Sequence, residues 1–330
     1  MTPARSAGGR AAVGPDRAGS IGSALLGVRG FLLDLDGVVI LAGHPIDGAA
    51  EAITTLDRRG IPYRIVTNSS LLSRRMMSAW GARHGLNLPP ERILSALSLS
   101  AAYTRRQHPG ARLFVLASED ARSEFKGQDL LTDEEAGRPG ASAAAVVVGD
   151  SPESATYDNL NHAFRLVRGG AELIGMHRNP WWLTPEGPTL DSGAFVTGLE
   201  FATGRRATVI GKPSPAFFRE AAAELLAGLP GASRRDLAMV GDDVFSDVLA
   251  AQRLGLRGIF VRTGKHGDQE LAAAAARRRG GGRPTAVADS LAAVATALGR
   301  RDPRATLAFQ QSPPRIVAGP RHDPRQGKHR

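Results

Sequence analysis

Residues 31–38 read FLLDLDGV, in which three apolar residues run directly into two aspartates and a glycine. An apolar run bounded by turn-forming residues predicts a buried strand. Residues two apart in an extended segment point to the same side, so Asp34 and Asp36 share one face at the strand end. Gly37 permits a sharp exit there. An ordinary Asp-Gly turn after a strand has the same residues. Whether Asp34 and Asp36 form a functional site therefore has to be judged from the rest of the chain.

Three further apolar runs end at residues capable of chemistry. These runs are YRIV (63–66) before Thr67, ATVI (207–210) before Gly211-Lys212, and LAMV (237–240) before Gly241-Asp242. Helical patterns lie among them, which predicts an α/β fold with a parallel sheet covered on both faces. Ligands of such sheets bind at the carboxyl ends of the strands. If the four strands are neighbours, these polar residues and Asp34 meet in one crevice.

The residue types suit phosphoryl transfer. A carboxylate at the end of a buried strand, here Asp34, predicts a covalent nucleophile that forms an aspartyl phosphate. Asp36 is placed to protonate the leaving oxygen and then to deprotonate the attacking water. Neighbouring carboxylates repel each other, and a hard cation such as Mg²⁺ removes that repulsion, with Asp242 as a further ligand. The ammonium of Lys212 would neutralise phosphoryl oxygens during transfer.

The neighbouring polar residues also have structural explanations. Residues 67–70 (TNSS) offer a hydroxyl and backbone N–H groups for an anion-binding nest, and the same residue types form helix N-caps. Asp243 fits a helix N-terminus, where acidic side chains are favoured. Asp247 lies one helical turn further on and is placed to orient a water or Lys212. The sequence leaves both explanations open at each position.

Four short motifs together carry a family resemblance: DLDGV (34–38), VTNSS (66–70), GKPSP (211–215) and GDDVFSD (241–247). Their order resembles the signature of haloacid dehalogenase (HAD) superfamily phosphatases, and the resemblance covers about residues 28–300. It implies a three-layer, Rossmann-like core with a parallel sheet. All four motifs are intact, which implies an active enzyme.

The resemblance also implies a role for each motif residue. Asp34 would be the nucleophile and Asp36 the acid/base. The phosphoryl group would be held by Thr67, Asn68 and Ser69, with Lys212 neutralising its charge. Mg²⁺ would lie between Asp34, the main-chain carbonyl of Asp36, and Asp242, and the supporting residues would be Asp247 and Asp243.

The segment between the second and third motifs resembles the α/β C2-type cap of subfamily IIA. That subfamily includes NagD-like nucleotide and sugar phosphatases, 4-nitrophenylphosphatases and phosphoglycolate phosphatases. The expected division is a disordered basic tail at 1–27, core at 28–109, cap at 110–206, core again at 207–299, and a second disordered basic tail at 300–330. The expected substrate is a small phosphorylated metabolite: a sugar phosphate, a nucleotide, phosphoglycolate or pyrophosphate. Caps of this subfamily can also mediate homodimers.

Residues 175–182 (GMHRNPWW) resemble the substrate-facing loop of such caps. Arg178 is expected to contact an anionic substrate, because a guanidinium is permanently charged and forked, and Asn179 is the next candidate. Trp181 and Trp182 either stack on the ligand or pack inside the cap, since tryptophan serves both purposes.

Comparison of this loop with particular branches bears on the substrate. Pyridoxal phosphate phosphatase has Asp-Pro-Trp-His where this chain has Asn179-Pro180-Trp181-Trp182, which argues against that substrate. RSEF (122–125) and NHAF (161–164) resemble the phospholysine phosphohistidine inorganic pyrophosphate phosphatase branch.

The amino-acid composition excludes several kinds of catalytic and binding site. The 330 residues contain no cysteine, which excludes disulfides, thiolate nucleophiles and Cys-ligated zinc. The net charge is +10, and residues 1–29 and 300–330 carry +3 and +6 of it. Because the charge lies in tails without hydrophobic periodicity, nucleic acid is not the expected partner. No apolar run is long enough to span a membrane, and a cytoplasmic protein is expected.

Two other functions fit parts of the pattern. A phospho-acceptor signalling domain also uses a strand-end Asp, Mg²⁺, a Thr and a Lys, but it needs neither a large insertion nor an acid/base such as Asp36. A catalytically weak HAD-fold binding or scaffold protein would keep the fold and recruit a partner through its tails. Hydrolysis of 4-nitrophenyl phosphate separates both from an enzyme.

Overall fold

The computed structural model describes residues 20–279 and 281–299. The tail predicted at 300–330 and most of the tail predicted at 1–27 lie outside the described residues.

The first described residues do not continue the predicted tail. Ile21–Ala24 form a short helix, and the hydroxyl of Ser20 caps it by accepting a hydrogen bond from the Ser23 backbone N–H. Leu25 is fully buried against the first sheet. The predicted disorder is therefore wrong for residues 20–27, because one leucine gives this segment an apolar anchor.

The described residues form fifteen β-strands and twelve α-helices. The strands are β1 (Gly30–Asp34), β2 (Ile40–Leu41), β3 (His44–Pro45), β4 (Tyr63–Thr67), β5 (Ile93–Ser95), β6 (Arg112–Leu116), β7 (Asp129–Leu130), β8 (Ala145–Val148), β9 (Glu172–Gly175), β10 (Trp181–Thr184), β11 (Gly187–Leu190), β12 (Thr208–Val209), β13 (Leu237–Gly241), β14 (Arg257–Val261) and β15 (Ala286–Ala288). The helices are α1 (Ile21–Ala24), α2 (Ala49–Arg58), α3 (Arg74–Arg83), α4 (Ala96–Gln107), α5 (Glu119–Arg122), α6 (Asp133–Gly137), α7 (Tyr157–Arg168), α8 (Gly193–Thr203), α9 (Pro215–Ala227), α10 (Ala250–Gln252), α11 (Asp268–Ala276) and α12 (Leu291–Gly299). Across residues 20–279 and 281–299, no helix is both long and apolar enough to cross a membrane.

Six parallel strands form the first sheet, in the order β15-β14-β13-β1-β4-β5. The central strand β1 is buried along its whole length. Leu32 packs with α9 and α10 on one face, whereas Phe31 and Leu33 pack with α2 and α12 on the other. Because both faces are covered, the strand is a continuous apolar run. The predicted α/β fold with a parallel sheet between helical layers is confirmed.

A second sheet of five parallel strands has the order β12-β9-β8-β6-β7. Helix α4 leads from the first sheet into the second, and its Leu97 belongs to one apolar cluster together with Leu32 of β1 and Val115 of β6. The segment from β6 to β12, called the inserted unit below, carries the second sheet. The two sheets share a packed core along α4, which fixes the inserted unit over the first sheet. Between β9 and β12, the antiparallel hairpin β10–β11 stands apart from both sheets.

The path to Lys212 differs from the prediction. The run at 207–210 was assigned to the core together with the other three runs, but β12 pairs with β9 in the second sheet. The pairing continues beyond the strand, because the backbone N–H of Ile210 donates to the Gly175 carbonyl at 3.1 Å. Lys212 therefore enters the crevice from the inserted unit. A short β-branched run fits the edge of either sheet, so the sequence pattern could not choose between them.

Candidate active site

Three predicted residues come together because their strands are neighbours. β1 lies between β13 and β4, so Asp34, Thr67 and Asp242 lie at the same edge of the first sheet. Asp36 and Lys212 line the same pocket, which lies between this edge and the inserted unit. The structure thus gathers the four motifs around one cavity.

Lys212 is the cation at the centre of this pocket and is only 3% exposed. Its Nζ lies 2.6 Å from Asp34 Oδ1 and 2.8 Å from Asp247 Oδ1, and it donates to the Val66 carbonyl at 3.2 Å. Burial lowers the pKa of Lys212, but the charges of Asp247 and Asp34 outweigh burial and raise it above its usual value. The ammonium therefore stays charged and holds the Asp34 carboxylate in place.

Three buried carboxylates form a compact acidic cluster. Oxygens of Asp34, Asp242 and Asp247 all lie within 4.8 Å of one another. Burial raises the pKa of Asp34 to about 6, with the charge of Asp242 adding to the effect. Burial also raises the pKa values of Asp242 and Asp247, and repulsion adds to both shifts, from Asp247 on Asp242 and from Asp34 on Asp247. One lysine does not neutralise three acids, so this donor set fits a divalent cation with oxygen ligands.

Two glycines let the backbone close around Asp242. An added Cβ on Gly37 would lie 2.4 Å from the Asp242 carboxylate, and one on Gly264 would lie 1.9 Å from its Oδ2. Gly37 also has a φ of +79°, a backbone conformation that residues with a side chain rarely adopt. The backbone N–H of Lys265 donates to Asp242 Oδ2 at 2.8 Å. The loop after β14 therefore fixes the orientation of this carboxylate.

Asp36 lies at the open part of the pocket and remains accessible to solvent. Partial withdrawal from bulk water raises the pKa of its carboxyl group, although Lys212 and the Thr67 hydroxyl oppose the shift. Thr67 Oγ1 donates to Asp36 Oδ2 at 3.5 Å. A carboxyl group with a raised pKa that still reaches water is suited to carry a proton in and out of the site.

Asn68 uses both ends of its amide on the backbone of Lys212. Its Oδ1 accepts from the Lys212 N–H at 2.7 Å, and its Nδ2 donates to the Lys212 carbonyl at 2.9 Å. The side chain thus positions the lysine, while a direct hold on the phosphoryl group stays a prediction. Thr67 Oγ1 accepts from the Ser69 N–H at 2.9 Å, and Ser69 lines the pocket. That bond shapes the loop that was predicted to form an anion-binding nest.

In the motif GDDVFSD (241–247), one acidic residue caps a helix and another orients Lys212, as the sequence predicted. Asp243 Oδ1 accepts from the N–H groups of Phe245 and Ser246 at 2.9 Å each, so this side chain caps the helical stretch. It also lies 2.9 Å from the Nζ of Lys265. Asp247, 1% exposed, points into the acidic cluster and pairs with Lys212.

The loop predicted to face substrate contributes some of its residues to the pocket. Asn179, Trp181 and Trp182 line it. Trp181 and Trp182 are 44% and 36% exposed, so they do not pack inside the inserted unit. Arg178 does not line the pocket, because its guanidinium lies 2.8 Å from the carboxylate of Glu200 in α8. This position does not support the predicted contact between Arg178 and substrate.

Sequence reasoning missed three charged residues that line the pocket: Asp150, Asp191 and Lys265. Lys265 had a partial signal, because it is the fourth residue after the apolar run at 258–261, and that run is one more parallel strand ending at the same edge. Asp150 follows β8 and Asp191 follows β11. Their local sequences carry no motif, and only the packing of the inserted unit over the sheet brings them to the site.

Comparison with known sequences leads to the same family as the four motifs. Residues 31–130 match the family model of haloacid dehalogenase-like hydrolases, and residues 209–294 match a HAD-hydrolase-like model. The chain is 33% identical over 250 residues to phospholysine phosphohistidine inorganic pyrophosphate phosphatase of Homo sapiens. That match covers 74% of this chain and 86% of the human protein.

Solved structures show the same architecture. A p-nitrophenyl phosphatase from Archaeoglobus fulgidus superposes with a TM-score of 0.71 at 27% identity, over 82% of this chain and 99% of that one. A glycerol phosphate phosphatase from Mycobacterium tuberculosis, in complex with magnesium, superposes with a TM-score of 0.69 at 26% identity, over 84% of this chain and 78% of that one. With its four motifs gathered in one pocket, the chain belongs to the haloacid dehalogenase-like hydrolase family.

Proposed function

We propose that this phosphatase is a Mg²⁺-dependent phosphomonoester hydrolase that works through an aspartyl-phosphate intermediate on a small phosphorylated metabolite. The observation that carries the proposal is the contact of 2.6 Å between Asp34 and Lys212, in a pocket that Asp36 also lines. A buried carboxylate held by a lysine is ready to attack, and a second carboxyl group stands where protons must move.

The reaction follows from the roles of these groups. The Asp34 carboxylate attacks phosphorus, and the bond to the leaving oxygen breaks as Asp36 donates a proton to that oxygen. Asp36, now ionised, takes a proton from a water, whose oxygen attacks the phosphorus of the aspartyl phosphate. Inorganic phosphate leaves and the Asp34 carboxylate is restored. Lys212 neutralises the phosphoryl oxygens in both steps.

Asp34, Asp242 and the main-chain carbonyl of Asp36 would hold the cation, with Asp247 in support. The crowded carboxylates support this assignment, as does the magnesium complex of the mycobacterial glycerol phosphate phosphatase. A bound Mg²⁺ would supply positive charge that screens the nucleophile from the phosphoryl oxygens.

Removal of divalent metal provides the first test of the proposal. Treatment with a chelator should lower the rate of 4-nitrophenyl phosphate hydrolysis by about 100-fold or more, because the acidic cluster would then repel the substrate. Added Mg²⁺ should restore the rate, and Ca²⁺ at the same concentration serves as the comparison cation. A rate that is unchanged in excess chelator would contradict the metal assignment.

Gly264→Ala tests the loop that orients Asp242. The new Cβ cannot fit 1.9 Å from the carboxylate, so Asp242 must shift. We expect the Mg²⁺ concentration for half-maximal activity to rise by about tenfold or more, as for other residues that orient a metal ligand. Gly198→Ala in α8 is the control, because its Cβ would meet open space. Equal Mg²⁺ dependence in both variants would show that the loop does not set the metal site.

The other functions that fit the sequence are less well supported. A phospho-acceptor domain must keep its phosphoryl group, whereas here Asp36 lies in the same pocket as the nucleophile. A binding or scaffold protein does not require a charged lysine buried between two catalytic-type carboxylates. A cytoplasmic location and a homodimer formed through the cap stay predictions from sequence.

A further inference from the structure

The inserted unit contributes its own wall to the pocket, opposite the acidic cluster. Asp150, His177, Asp191, Trp181 and Trp182 all lie on this wall. Once the phosphoryl group is on Asp34 and Lys212, the leaving group must extend toward these side chains. Their charges therefore bear on which leaving groups the enzyme accepts, given the function proposed above.

Asp150 has an uncompensated carboxylate. Its backbone N–H donates to the Ser70 hydroxyl at 2.8 Å, which ties the residue to the first sheet. Its side chain makes no hydrogen bond or ion pair with any residue in the described part of the chain. Burial raises its pKa to about 6, and the charges of Asp191 and Glu153 add to the shift. Near neutral pH the group is mostly ionised, without a cation of its own.

Asp191 adds a second negative charge to the same wall and is 4% exposed. Its Oδ1 accepts from the Ser192 N–H at 2.7 Å and lies 3.5 Å from His177 Nε2. The histidine does not cancel the charge. Burial lowers the pKa of His177 to about 4, and its Nδ1 accepts from the Asn179 N–H at 3.3 Å, so the ring is neutral near pH 7.

The cations near the pocket are already engaged. Lys265 lies 2.9 Å from Asp243, and Lys212 is held by Asp34 and Asp247. Arg178 is turned away toward Glu200. The charge of Lys265 reaches this wall, since it opposes the rise in the pKa of Asp191. Even so, both lysines that line the pocket are already paired with carboxylates before a leaving group binds.

The two tryptophans give an independent indication of the same preference. Both are more than a third exposed and line the pocket beside the acids, on the hairpin β10–β11. Aromatic faces attract cations through the ring quadrupole, and indole is the most effective of the side-chain rings. Carboxylates next to exposed indoles form a surface suited to a desolvated ammonium group.

We propose that this wall selects phosphate esters whose leaving alcohol carries an ammonium group, through Asp150, Asp191 and the two tryptophans. Leaving groups with a carboxylate or a second phosphate are disfavoured, because they would bring a third negative charge to the same wall. Phosphorylated amino alcohols are therefore the substrate class, and phosphoglycolate and pyrophosphate are poor substrates.

The test compares three small substrates that differ in charge at one end: phosphoethanolamine, 2-hydroxyethyl phosphate and phosphoglycolate. For the wild type we expect kcat/KM to fall in that order, by about tenfold at each step, as one charge contact is lost and then reversed. In Asp150→Asn and in Asp150→Asn/Asp191→Asn, the ratio between the first and third substrates should fall by about tenfold or more. Asp158→Asn in α7 makes the same chemical change outside the pocket and should leave the ratio unchanged.

Each ratio is measured within one variant, so a loss of folded protein cancels. The proposal would be overturned if the wild type had equal kcat/KM for phosphoglycolate and phosphoethanolamine. It would also be overturned if the ratio of these two kcat/KM values were the same in both asparagine variants as in the wild type. Either result leaves the function proposed above intact if 4-nitrophenyl phosphate is still hydrolysed with Mg²⁺. Failure with every substrate, 4-nitrophenyl phosphate included, would instead reject the phosphatase function itself.

Discussion

Asp34→Asn is expected to lower kcat/KM for 4-nitrophenyl phosphate by about 10⁴-fold or more, as when the nucleophile of other covalent enzymes is removed. The carboxylate is 2.6 Å from Lys212 and cannot be replaced by another acid. Asp242 and Asp247 share the cluster but are assigned to the cation and the lysine. An amide has nearly the same shape, carries no negative charge and is a poor nucleophile.

A chemical readout separates loss of the nucleophile from loss of the fold. Wild-type enzyme quenched in acid during turnover should carry covalent phosphate, and Asp34→Asn should carry none. Lys212 keeps its contact with Asp247 in the variant, so the thermal unfolding temperature should stay close to that of the wild type. Turnover within about tenfold of the wild type would mean that another residue is the nucleophile.

Asp36→Asn should lower turnover by about 10² to 10⁴-fold, the range for a general acid or base. The two steps should respond differently to this change. 4-Nitrophenolate leaves without being protonated, so Asp34 can still be phosphorylated, whereas the water that breaks the intermediate has lost its base. We therefore expect a burst of about one 4-nitrophenol per active site, followed by slow turnover.

An alkyl phosphate provides the contrast for this variant. Its leaving oxygen needs a proton, so phosphorylation itself should become slow and no burst should appear. Asp47→Asn, which changes an exposed aspartate outside the pocket, is the matched control and should behave as the wild type. A burst with neither substrate and a wild-type rate with both would remove Asp36 from the mechanism.

The placement of Asp34, Thr67 and Asp242 could be predicted because two local rules were enough. Apolar runs of three or four residues mark these buried parallel strands, and the carboxyl ends of such strands meet at one edge. The residue that follows each run is therefore placed without knowledge of any distant contact. The same rules place the loop after β14 at this edge, but Lys265 is the fourth residue beyond that strand, so they do not single it out.

Lys212 shows where those rules fail. Its place in the site was predicted, but its strand was assigned to the wrong sheet. Two residues of β12 pair with β9, and the amide of Asn68 then holds the lysine backbone from the first sheet. Both contacts join residues far apart in the chain, and the sequence of the run at 207–210 does not predict them.

The sequence by itself determined the α/β fold, the four motifs and the residue types that can transfer a phosphoryl group, because strand periodicity and turn chemistry are local properties. Only the tertiary structure decided the wall that faces the leaving group. There Arg178 turns to Glu200, Trp181 and Trp182 remain exposed, and two aspartates without any motif enter the pocket. The direction of each of these side chains depends on which distant groups lie within its reach, and only the packed structure brings those groups together.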